Sequence, residues 1–185
     1  MAQYYLISQL PSLDGIFENM PIPITEERFS ELCDRFLGKK AQSEIKKLTL
    51  MPPRDHEESA FQLIKAWNES ERNLRLALAK ARAEKMKKTF DAGNRALSVE
   101  FIKAASTAIE MGSPMEAEKF LNSFRLELLE ELRPMDNFSE EFVLYYGLKL
   151  KLLYRMRQFD VDAGEAAYRN IYNSVLSGDR LEAIS

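Results

Sequence analysis

A chain of 185 residues has room for one large domain or two small ones, and 45% hydrophobic with 30% charged residues is the composition of a folded globular protein, not of a disordered tail. Cys33 is the only cysteine and His56 the only histidine, which excludes an intrachain disulfide, a paired-cysteine redox centre and a multi-cysteine or histidine-rich metal site. The formal net charge is −3, a balance that speaks against nucleic acid as a partner.

The opening MAQYYLISQLPSLDG has no basic stretch ahead of its apolar run, and nowhere does the chain offer about 18 uninterrupted apolar residues, the length needed to cross a bilayer. A soluble, cytoplasmic protein without membrane insertion is expected. Tyr4 to Leu10 reads as a short extended segment, and Pro11, Gly15, Pro21 and Pro23 keep the next dozen residues in a loop. Thr25 is placed to cap a helix with Glu26 and Glu27 in its first turn and Phe29, Leu32, Cys33 and Phe36 on one face, and Gly38 is placed to close it. A shorter helix is expected around residues 43–50, ending before Pro52 and Pro53.

Between about residues 55 and 89 there is no Pro or Gly, and Ala60, Ile64, Trp67, Leu74, Leu78 and Ala81 recur in steps of three and four. This predicts one long helix of roughly 30 residues, about 45 Å. Glu71 and Lys85 fall on the same seam and argue for packing along part of the helix only. Asp91, Gly93 and Asn94 break the pattern. Helices follow over 97–111, from Pro114 after the cap Ser113, and from Phe142 to about Arg157 after Ser139, the last with so little polar face that it is expected at the centre. Asp162 and Glu165 mark a final helix with Ala167, Ile171 and Val175 on one face. The sum is an all-α fold of about seven helices, read as a single helical domain over 1–185 with a subdivision open near 91–96; Rossmann and TIM-barrel architectures are excluded by pattern, and the lack of a repeat at a fixed period argues against a solenoid.

Phosphate loops, GxSxG, HExxH and kinase signatures are absent from the sequence. Neighbouring carboxylates such as Glu57 with Glu58 or Glu130 with Glu131 point in different directions on a helix, His56 stands at a loop-to-helix boundary, and Cys33 falls on a core-facing position. No catalytic residue, cofactor or metal is expected. Charge is uneven, however. Residues 65–88 hold eight basic groups against three acidic, and residues 110–145 hold three basic against nine acidic. Either the two segments compensate each other inside one domain, or each end of the molecule meets a different protein partner.

Three stretches, YYLISQLPSLDG, PIPITEERFSELCDRFL and WNESERNLRLALAKARAEK, resemble a bacterial family encoded within operons of V-type (A/V-type) rotary ATPases, at Tyr4, Tyr5, Leu10, Pro11, Phe29, Cys33, Trp67, Arg72, Asn73, Leu74, Ala79, Arg82 and Ala83. The family is similar to a short form of the C-type (eukaryotic d-type) component of V-type ATP synthases, the all-helical funnel joining the central rotor stalk to the membrane rotor ring. The resemblance implies a non-catalytic coupling component, monomeric within a hetero-complex, peripheral to the membrane, with stalk and ring subunits as partners. Arg72, Asn73, Arg75 and Arg82 are the interface candidates. A helical assembly factor or regulator of the same complex fits the same features, and a small helical enzyme would need a site assembled from residues such as His56, Arg72 and Glu71.

Overall fold

The computed structural model describes residues 2–16, 20–53, 59–90, 96–158, 164–166 and 168–173. Among them the fold is all-α, without a strand. The helices are α1 (Ala2–Gln9), α2 (Glu26–Phe36), α3 (Lys39–Lys47), α4 (Gln62–Lys85), α5 (Val99–Glu110), α6 (Pro114–Glu131) and α7 (Glu140–Arg157), and residues 164–166 and 168–173 are also helical. His56, Asp162, Ala167 and Val175 lie outside the described residues.

Caps form where the sequence placed them. Thr25, Ser113 and Ser139 each accept a hydrogen bond from the backbone N–H three residues on, at 3.1, 3.4 and 3.1 Å. Pro114 occupies the first turn of α6, where a missing N–H costs nothing.

Three expectations need correction. The N-terminal segment is helix α1, not extended: Leu6 is fully buried and Ile7 and Leu10 pack against the core, in helical steps of one, three and four that its aromatic, β-branched composition obscured. Eight residues make a marginal helix alone, so docking against α2 supplies its stability. Gly38 does not close α2 but stands at the N-cap of α3, with φ −67° and ψ 151°, so the next helix begins at Lys39. The long helix is also shorter than its pattern. It starts at Gln62, because the Ser59 hydroxyl accepts from the Phe61 N–H (3.1 Å) in a local turn and the Glu141 carboxylate accepts from the Gln62 N–H (3.0 Å). It stops at Lys85 because Lys87 adopts φ 53°, with the Lys87 N–H donated to the Glu84 carbonyl and the Lys88 N–H to the Ala83 carbonyl. That is a Schellman closure with lysine in the place glycine usually takes, which is why the sequence hid it.

The apolar interior is in two parts. The first gathers Leu6, Phe29, Leu32, Cys33, Ile45, Ile64 and Trp67 around α7, whose residues Val143 to Leu150 are all buried. Gly147 lets α7 approach its neighbours closely there: a Cβ would stand 2.8 Å from Leu48 Cδ2 and 3.0 Å from the Phe29 ring, which stacks on Tyr146. The second part is alanine-rich, with Ala77, Ala104, Ala105 and Ala108 among Leu74, Leu78, Phe101, Leu121 and Leu128. It joins the C-terminal half of α4 to α5 and α6, so the helices on either side of residues 91–95 share one cluster. Helix α4, about 36 Å long at 24 residues, runs through both parts.

Candidate functional site

The two apolar parts meet at a buried polar junction. Glu71, one turn beyond Trp67 on α4, accepts three N–H groups: Arg125 Nε at 3.0 Å and Nη2 at 3.2 Å from α6, and Arg75 Nε at 2.8 Å from its own helix. Arg125 also donates from Nη1 to Asn122 Oδ1 at 3.0 Å and lies 3.5 Å from Glu118. The Glu71 and Arg125 side chains are only 2% and 7% exposed. Burying one charge alone is prohibitive, and the forked pairing makes the position tolerable. The seam position that argued against a continuous coiled coil is thus the charge that ties α4 to α6. It reverses the segment-level pattern, since the acid comes from the basic segment and the base from the acidic one.

The four interface candidates separate by their partners. Arg72 donates from Nη2 to the Pro53 carbonyl at 3.2 Å. Asn73 is half-buried. Among the described residues Arg75 is engaged through Nε alone, with its side chain 41% exposed. Arg82 is exposed and has no hydrogen bond or ion pair with a described residue. Farther along, Lys85 donates to the Ile109 carbonyl at 2.7 Å, in the last turn of α5, where a cation suits the helix dipole. Arg75, Arg82 and Arg125 line a cleft of about 310 Å³ with Leu78, Leu121 and Glu118. Glu118 is in turn held by Arg155 of α7. The cleft presents guanidinium groups, of which Arg75 and Arg125 are held by Glu71.

A second ionic cluster escaped the sequence reading. Lys149 of α7, its side chain 6% exposed, is paired with both Asp14 and Glu130, and Tyr145 Oη donates to Glu130 at 2.7 Å. Tyr146 Oη donates to the Pro11 carbonyl at 2.8 Å, so α7 holds the 11–16 loop at two points. The cluster borders a cleft of about 620 Å³ lined also by Leu13, Ile16, Arg133 and Leu153. A signal existed: a lysine inside a helix with no polar face must find an anionic partner.

Its titration argues for a clamp. The hydrogen bond from Lys149, ahead of the charges of Lys149 and Arg133, holds Asp14 below the usual carboxylate range against its partial burial. Burial acts to lower Lys149, but its bonds to Asp14 and Glu130 outweigh it and lift the ammonium above its ordinary value. Burial, with the Glu130 bond, pushes Tyr145 up to about 12. Near pH 7 Asp14 and Lys149 are held charged and Tyr145 protonated, whereas a general acid or base works with a pKa close to the working pH. Cys33 behaves likewise, pushed up to about 12 by burial and then by Asp34, which keeps its thiol protonated and unreactive. Of the residues named for an enzymatic site, Glu71 is paired with Arg125 and Arg75 and Arg72 donates to the Pro53 carbonyl, and His56 lies outside the described residues.

A third hollow, about 310 Å³, lies between α3 and α4 against Trp67, Asn68, Glu44 and Lys47. Trp67 is 1% exposed and its indole N–H has no partner among the described residues. None of the described helices is long and apolar enough to cross a membrane. Compared with models of protein families, with curated proteins and with solved structures, the chain gives no match.

Proposed function

We propose that the protein is a non-catalytic component of a V-type (A/V-type) rotary ATPase that couples the central stalk to the membrane rotor ring, in the manner of the C-type (eukaryotic d-type) funnel. The observation that carries this reading is the behaviour of one helix. The stretch Trp67 to Lys85, where the resemblance is strongest, is the stretch of α4 that runs from one apolar part of the fold into the other and turns Arg82 and the free edge of Arg75 outward. A coupling element transmits torque, which asks for a body whose parts are locked together and for charged surfaces that fix register on a partner. The Glu71–Arg125 junction and the Lys149 clamp supply the first, and the guanidiniums of α4 the second.

The test is affinity purification of the tagged protein from its own cells in mild detergent, with quantification of co-purifying subunits. Recovery of stalk and ring subunits at a fixed ratio supports a stable component. Substoichiometric recovery assigns an assembly factor instead, and their absence from preparations in which the ATPase stays intact refutes both.

A further inference from the structure

We infer that the cleft between α4 and α6 is a two-fork receptor for paired carboxylates on an acidic helix of a partner protein, with Arg82 and Arg75 as the recognising residues and Arg125 as its floor. The inference rests on reading the protein as a docking component, but not on which complex it docks to. The donor supply comes first. Glu71 and Glu118 are the two carboxylates at the site, and four guanidiniums surround them: Arg75, Arg82 and Arg125 line the cleft and Arg155 holds Glu118 from behind. Two positive charges are left over in a chain whose formal net charge is −3. The excess is also localised. Arg125 is engaged at all three nitrogens by Glu71 and Asn122, whereas the terminal amino groups of Arg75 and the whole of Arg82 have no partner among the described residues.

Spacing then selects the ligand. Seven residues on a helix return to the same face about 10 Å farther along. Arg75 and Arg82 are therefore rooted on one face of α4 at the axial spacing of two carboxylates seven residues apart on a facing helix. Planar guanidinium forks match carboxylates in bidentate geometry, where a lysine would offer only a point charge.

The test uses the full-length protein labelled with 15N, following arginine Nε–Hε resonances. It is titrated with a stapled helical peptide bearing two Glu residues seven positions apart, with the same peptide carrying Gln at both, and with inorganic phosphate at matched ionic strength. The inference expects saturable shifts at Arg75 and Arg82 with the Glu peptide alone. Arg82→Glu should weaken that binding at least about tenfold and Arg75→Gln about threefold, while Lys80→Glu, on the same helix outside the cleft, changes it less than about twofold. Equal shifts with phosphate would make this a phosphate site, equal loss with Lys80→Glu would reduce it to diffuse attraction, and no saturable shift would leave no site; each result overturns the inference. Retrieval of ATPase subunits by wild type and Arg82→Glu in parallel separates this claim from the functional one. Equal retrieval sinks the cleft alone, and peptide binding without any retrieval sinks the ATPase reading alone.

Discussion

The two halves of the interior are built on different plans. Around α7 the core is made of large side chains, Trp67, Phe29, Tyr145, Tyr146 and many leucines, and the backbone yields to them, as at Gly147. Between α4, α5 and α6 four alanines take the contact positions, so the helices are brought together by small residues and less apolar area is removed from water per residue. The difference teaches where stability and function are divided. The large-residue core carries the Lys149 clamp on its loop, the alanine core carries the arginine cleft, and the Glu71–Arg125 junction ties α4 to α6 where the two meet.

Substitutions in each part should break this comparison unequally. Trp67→Ala empties the first core at its largest side chain and should cost about 3 to 5 kcal/mol in urea unfolding; a loss below about 1 kcal/mol would put the indole in a place that packing does not depend on. Arg125→Met leaves Glu71 buried without its forked partner and should cost about 3 kcal/mol, most of it restored when Glu71→Leu is added. If the double variant is as unstable as the sum of the singles, the junction is not a coupled pair. Ala105→Leu, at a fully buried contact of the second core, should cost about 2 kcal/mol by overpacking. Lys87→Gly should instead stabilise by about 1 kcal/mol, because glycine accepts the left-handed geometry that lysine adopts at a cost.

The clamp gives the smallest effect and a sign. Asp14 titrates below its ordinary value in the folded protein, so its contribution is present above the unfolded pKa of about 3.9 and fades as pH falls through the lower folded value. Lys149 and Tyr145 titrate above theirs, so their contributions are intact below about pH 10 and fade as pH rises. The stability difference between wild type and Asp14→Asn should therefore be flat from about pH 5 to 9 and shrink at the acid end. A difference that grows on acidification would contradict the pairing.

Much of this architecture was legible in the residues. Caps at Thr25, Ser113 and Ser139, the buried α7 and the core position of Trp67 follow from local chemistry and period, and they formed as read. What escaped was decided at a distance. Helix α1 is selected by burial of Leu6 in a core assembled from α2 and α7, and the start of α4 is set by Glu141, 79 residues away in sequence. The same holds for the site. Arg75 and Arg82 were identifiable as α4 cations, but Arg125, the residue that floors their cleft, sits in a segment dominated by acids, and its partner Glu71 looked like a flaw in an apolar seam.

Coupling is the central claim, and ATP-driven ion uptake measures it most directly. In membrane vesicles from cells lacking this protein, the ATPase head should still hydrolyse ATP while uptake falls to background, and restoring the wild-type chain should recover it. Vesicles that pump at the normal rate without the protein would contradict the account.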